Sequence, residues 1–215
     1  MSHVVVFGAT GYAGGHITDE LLSRGHTVTG VARDTSALAN REGLTARQGS
    51  VHDAEFVRDV STGADVLIVA LRAAEQNGEK LLDAMPSVAA AASAQGARLG
   101  LVGGAGSLFV SDDGPLLVET PEFPEVAKNE SLSHKKVLDY LRSGKTDVDW
   151  FYVSPAGDFG SWVPGERTGS FRVGDDVLLS DADGKSYISG ADLAIAFADE
   201  IEEPTHNRAR FTVAY

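Results

Sequence analysis

Cysteine is absent from the 215 residues. No disulfide framework, thiolate nucleophile or thiolate metal ligand is available, which fits a reducing compartment and makes a cytoplasmic location the expectation. No uninterrupted apolar run approaches the roughly eighteen residues of a membrane-spanning helix. The strand-like pattern begins at His3 with no basic stretch or cleavage site before it, so the sequence reads as neither membrane-bound nor exported. Basic residues are also scarce: 18 Lys and Arg stand against 31 Asp and Glu, a formal charge of -13. Scattered cations on so acidic a chain argue against a nucleic-acid partner. The histidines His3, His16, His26, His52 and His206 have no ligand spacing with carboxylates, and "DDG" and "DADG" lack the remaining oxygens of a calcium loop, so no metal is expected. With 43% of its residues hydrophobic, the chain still has enough apolar surface for a folded core.

Apolar runs of strand length recur at His3 to Phe7, Thr27 to Ala32, Ala64 to Leu71, Arg98 to Val102 and Asp149 to Val153, with a shorter one at Leu44 to Gln48. They are nearly continuous in Val, Ile and Leu, the pattern of strands covered on both faces. Helix-period segments alternate with them, including Asp53 to Val60, Ala84 to Ala94 and Ala191 to Glu202 before a last strand at Arg210 to Ala214. This order predicts an α/β, doubly wound parallel sheet of Rossmann type. The whole of 1–215 reads as one domain. Within it, 157–190 turns to Gly, Asp and Ser, and "SFRVGDDVLLSDADGKSYIS" predicts short strands joined by turns, a small C-terminal substrate lobe over the sheet.

"GATGYAG" places Gly8, Gly11 and Gly14 after the first strand and at the opening of a helix. Such glycines permit a tight turn, close backbone approach to a pyrophosphate, and close packing of helix on strand. The helix N-terminus then offers N–H groups and partial positive charge to the phosphates. A close-packed turn also needs glycine without any ligand, but the βαβ context favours a dinucleotide. The second strand ends "GVARD". Arg33 stands where an NAD-preferring site has an acidic residue, and a guanidinium grips a 2′-phosphate in bidentate fashion, so NADP(H) is preferred and NAD(H) is second. The alternative is an exposed arginine at a strand end, and Asp34 beside it would repel a phosphate unless turned away.

With "GGAGSL", "DWFYVSPAGDF", "PGERTGSFR" and "SYISGADLAIAFADEIE" added to these motifs, nearly the whole chain resembles the atypical short-chain dehydrogenase/reductase group of NADH-flavin reductases, related to NmrA-like and biliverdin-IXβ reductase-like proteins. The resemblance implies a Rossmann core, a nicotinamide cofactor and a substrate lobe. It places Gly8, Thr10, Gly11, Tyr12, Ala13 and Gly14 at the pyrophosphate and Arg33 at the 2′-phosphate. Ser50 and Val51 fall at the adenine, where "GSVHD" has serine in place of the usual aspartate. Ala70, Leu71 and Arg72 fall beside the adenosine ribose, and Gly103, Gly104, Pro155 and Ala156 along the strand ends toward the nicotinamide.

The chemistry is less familiar. Short-chain reductases protonate a nascent alkoxide with a tyrosine whose pKa is lowered by a lysine four residues on. Here the tyrosine slot falls on Glu130 and the lysine slot on His134. Ser107 and His134 are the remaining catalytic candidates, with a plain helix histidine as the alternative for the latter. Without the pair, a conjugated acceptor such as a flavin or quinone is favoured, because its ring spreads the incoming charge and takes a proton from water. Phe109, Phe159 and Trp162 are candidates to stack on such a ring, and Arg167 either meets an anionic substrate group or caps the lobe. The reading is an NAD(P)H-dependent oxidoreductase acting on a small-molecule electron acceptor, as a monomer or homodimer. The alternative is an NmrA-like, NAD(P)-sensing regulator without turnover.

Overall fold

Val4, Val5, Val6 and Phe7 are all buried because strand β1 (His3–Phe7) runs through the middle of a sheet covered on both faces. The computed structural model describes residues 1–38 and 40–215. The other strands are β2 (Thr27–Ala32), β3 (Leu44–Gln48), β4 (Val66–Val69), β5 (Arg98–Val102), β6 (Trp150–Ser154), β7 (Arg172–Gly174) and β8 (Ala209–Ala214), in the order β3-β2-β1-β4-β5-β6-β8-β7. All neighbours are parallel except β7 on β8. This is the doubly wound Rossmann-type fold that the alternating pattern predicts.

Helices α1 (Tyr12–Ser23), α2 (Ala54–Val60), α3 (Leu81–Gln95), α4 (Glu125–Arg142) and α5 (Gly190–Glu202) supply the layers. Pleating sends Val5 and Phe7 into one core with α2, α3 and α4, and Val4 and Val6 into a second core with α1 and α5. Two apolar layers explain why the strand sequences are continuous rather than alternating. Asp53 caps α2 by accepting from the Glu55 and Phe56 amides, and Gly96 ends α3 in the left-handed region at φ +65°. The strand expected over Ala64 to Leu71 is shorter, Val66–Val69, leaving Ala70 and Leu71 to the loop that follows. The helix expected over Ala84 to Ala94 starts earlier, at Leu81.

The lobe differs from expectation. Instead of a hairpin over the sheet, 157–190 contains one strand, β7, and it extends the main sheet antiparallel to β8, pairing Arg172 with Ala214 and Gly174 with Thr212. The other two expected strands are reduced to single bridges, Val177 with Phe109 and Tyr187 with Asp158. "DADG" is a tight turn in which Asp181 Oδ1 accepts from the Asp183 and Lys185 amides, so the backbone partners of a ladder are satisfied locally.

Candidate functional site

The strand order reverses between β1 and β4, and a cleft opens at their carboxyl ends, the switch point at which open α/β sheets bind ligands. Two backbone bonds fix its floor: the Gly8 amide donates to the Val31 carbonyl and the Ala70 amide to the Phe7 carbonyl, each at 2.9 Å. Gly8 sits at φ +90°, and a Cβ there would lie 2.3 Å from the Ala70 oxygen. A Cβ on Gly14 would lie 2.1 Å from the Gly8 oxygen. Both glycines are required by the turn itself. Gly11 then begins α1 with no side-chain cap and no acidic residue in the first turn, leaving the helix N-terminus attractive to an anion.

The cleft holds about 280 Å³, and Gly8, Thr10, Gly11, Arg33, Ser50, Val51, Ala70, Leu71 and Arg72 all line it. Among the described residues Arg33 has no ion-pair partner, and its carbonyl accepts from Gln48. Asp34 turns to the Ser36 amide at 2.9 Å, a backbone bond that holds its carboxyl below the usual range. Ser50 Oγ accepts the His52 amide at 3.2 Å. His52, Gln76, Glu79 and Leu81 also line the cleft. Their only sequence signal is position, just beyond the third strand and just before α3, which a motif scan passes over.

Tyr12 and Ala13 lie outside this lining. The Tyr12 hydroxyl donates to the Pro164 carbonyl and accepts the Gly190 amide, both at 3.0 Å, while its ring packs on Phe159 with centroids 5.4 Å apart. Its side chain is a staple between the glycine loop and the lobe, because α1 begins directly beneath 159–164. Arg167 is committed likewise: it pairs with buried Glu20 on α1. This is the geometry of the lobe-capping alternative, with the guanidinium half exposed. Ala13 packs against the α1–α5 core. Trp162 lies against Gly160 and is 79% exposed, which separates it from buried Trp150.

On the neighbouring strands, Gly103 and Gly104 follow β5 while Pro155 and Ala156 follow β6. Gly103 is dictated by packing, since a Cβ would meet the Tyr152 ring at 2.0 Å. Pro155 and Ala156 are buried. Ser107 is buried too, and its Oγ and carbonyl both accept from Arg210 Nη1 at 2.9 Å. Arg210 is neutralised in turn by Asp176. The Ser107 hydroxyl oxygen therefore anchors a buried cation and, as an acceptor there, keeps its own proton. Phe109 joins this region to the lobe: its amide donates to the Asp176 carbonyl and its carbonyl accepts from Leu178.

His134 is not the exposed helix histidine of the alternative reading. It is buried against Gly104, with Nε2 3.2 Å from Glu130 Oε1. Glu130 also accepts the Ala73 amide at 2.7 Å and the Ala74 amide at 3.2 Å, and Arg72 Nε stands 3.5 Å away. Burial pushes the Glu130 carboxyl upward, but the His134 bond and the two amides outweigh it and hold the group at about 2. Glu130 and His134 thus form a clamp on the segment after β4.

These residues fit a dinucleotide: the turn admits no side chain at Gly8 or Gly14, a bare helix N-terminus opens beside it, and an unpaired guanidinium shares the same cleft. The comparisons agree. The NAD(P)H-binding family model matches residues 8–204. YwnB of Bacillus subtilis (strain 168) is 36% identical over 211 residues, covering 97% of this chain and 96% of that protein. A Bacteroides thetaiotaomicron structure named "putative epimerase" superposes with TM-score 0.89 at 33% identity, covering 100% of this chain and 97% of the other. A Streptococcus pneumoniae structure named "putative NADH-flavin reductase" gives TM-score 0.77 at 30% identity, covering 100% and 99%. Glycine turn, cleft and similarity along nearly the full length converge on one assignment: the chain belongs to the NAD(P)H-binding family.

Proposed function

We propose that the protein is an NAD(P)H-dependent oxidoreductase that prefers NADPH and passes hydride to a flavin, quinone or similar conjugated acceptor. One observation carries the reading: the glycine turn and Arg33, unpaired among the described residues, share one cleft; the family resemblance adds that Glu130 and His134 stand in the slots of the usual proton-donating pair. A reduced nicotinamide supplies the hydride when bound. The chain's part is to hold that group. The amides at the start of α1 meet the pyrophosphate, Arg33 meets the 2′-phosphate, and Glu130 fixes the 70–74 wall through the Ala73 and Ala74 amides.

Ser107 holds Arg210 through its oxygen and His134 is paired with Glu130, so this reading assigns neither the part of a dedicated proton donor. An acceptor that delocalises its charge needs none. Phe159, Phe109 and Trp162, of which the last two are exposed, offer flat surface on the lobe side for such a ring. The reading carries a cytoplasmic location and a monomeric or homodimeric state. Among the described residues no helix is long and apolar enough to cross a membrane.

The test is loss of NADPH absorbance with a panel of free flavins and quinones, alongside simple ketones. Turnover with the conjugated acceptors and not the ketones is expected. Tight NADPH binding without turnover on any acceptor would overturn the enzymatic reading.

A further inference from the structure

The cleft is not polar throughout. Val51, Leu71 and Leu81 bring apolar surface to its lining, the kind of slot a flat base fills. A base carrying an exocyclic amine also needs an acceptor there. Position 50, where the family resemblance puts an aspartate, is a serine whose Oγ already accepts the His52 amide.

Glu79 brings a carboxylate to the same cleft. Its backbone is held by reciprocal bonds, the Gln76 amide to the Glu79 carbonyl at 2.8 Å and the Glu79 amide to the Gln76 carbonyl at 3.0 Å. They close a two-residue turn on Asn77 and Gly78 at φ +54° and +86°, the left-handed pair of a type I′ hairpin. Glu79 Oε2 stands 4.0 Å from His52 Nε2, so the carboxylate and imidazole lie beside each other next to Val51. The adjacent Lys80 pairs with Glu75 instead, at 3.6 Å. The turn therefore fixes the backbone from which a half-exposed carboxylate reaches the cleft, with His52 beside it and, among the described residues, no lysine paired to it.

We propose that Glu79 selects the base of the dinucleotide, accepting from the exocyclic amine of adenine as a charged acceptor beside the neutral hydroxyl of Ser50. The inference rests on the dinucleotide reading above. A charge-assisted bond of this kind favours an amino-purine and opposes a 6-oxo-purine, whose carbonyl would meet the carboxylate acceptor to acceptor.

The experiment is fluorescence titration with NADPH and with its hypoxanthine analogue, in which the amine is replaced by a carbonyl. Wild type, Glu79→Ala, Glu79→Gln and Glu75→Ala are compared. Wild type should prefer the adenine form by about tenfold or more. Glu79→Ala should bind both forms alike, Glu79→Gln should keep part of the preference through its amide oxygen, and Glu75→Ala, outside the cleft lining, should keep it in full. Equal binding of both forms by wild type, or an undiminished preference in Glu79→Ala, overturns the proposal while the dinucleotide reading stands. Failure of wild type to bind either form overturns that reading instead.

Discussion

Glu130 and His134 lie one turn apart on α4 with Oε1 and Nε2 separated by 3.2 Å, and the same carboxylate bridges the Ala73 and Ala74 amides. The pair ties a helix to the wall of the cofactor cleft, so its loss should register in both stability and binding.

The folded-state pKa of Glu130, about 2, lies below its ordinary 4.5. Its contribution is therefore complete above the ordinary value and drains away as pH falls toward the folded one. Denaturant melts along the acid limb should show Glu130→Gln losing less stability on acidification than wild type. At neutral pH, Glu130→Ala should cost about 2–4 kcal/mol, because two backbone amides and a buried imidazole lose their partner. NADPH affinity should fall with it.

Replacement of Arg33 by alanine should weaken NADPH binding by about ten- to a hundredfold, the loss of one or two charge-assisted bonds, and leave NADH nearly unchanged. Paired titrations of both cofactors check this. A wild type that prefers NADH would remove the 2′-phosphate role.

Ser107→Ala deletes a hydroxyl that accepts from buried Arg210. A cost of about 1 kcal/mol in stability is expected, with kcat unchanged within about twofold, since the Ser107 carbonyl and Asp176 still hold the guanidinium. A drop in kcat of about a hundredfold or more would instead return the hydroxyl to the chemistry.

Tyr12→Phe removes the donor to Pro164 and the acceptor of the Gly190 amide. NADPH affinity should stay within about twofold while KM for the acceptor rises, because the lobe and not the phosphate site loses its tie. The opposite split, with weaker NADPH and an unchanged acceptor KM, would place the hydroxyl at the cofactor.

The sheet was readable because continuous Val and Ile runs have few other uses, and the glycine turn because its backbone conformation excludes a side chain. What escaped was conditional on three-dimensional neighbours. Tyr12 belongs to "GATGYAG" by sequence, yet its hydroxyl answers to Pro164 and Gly190, more than 150 residues on. Arg167 looked available until Glu20 was found across from it. His52 and Glu79 carry no motif, and their meeting depends on a short turn before α3. The lobe misled because "GDD" and "DADG" favour hairpins locally, while β8 offered β7 a longer partner.

The margins of the sheet bear on solubility. At one border β7 offers only three residues for pairing. At the other, β3 carries Arg47, ion-paired with Asp59 across its exposed surface. A short rung and a charged one are poor templates for a stranger's strand. Together with the surplus of acidic residues they should keep concentrated solutions free of edge-to-edge polymers.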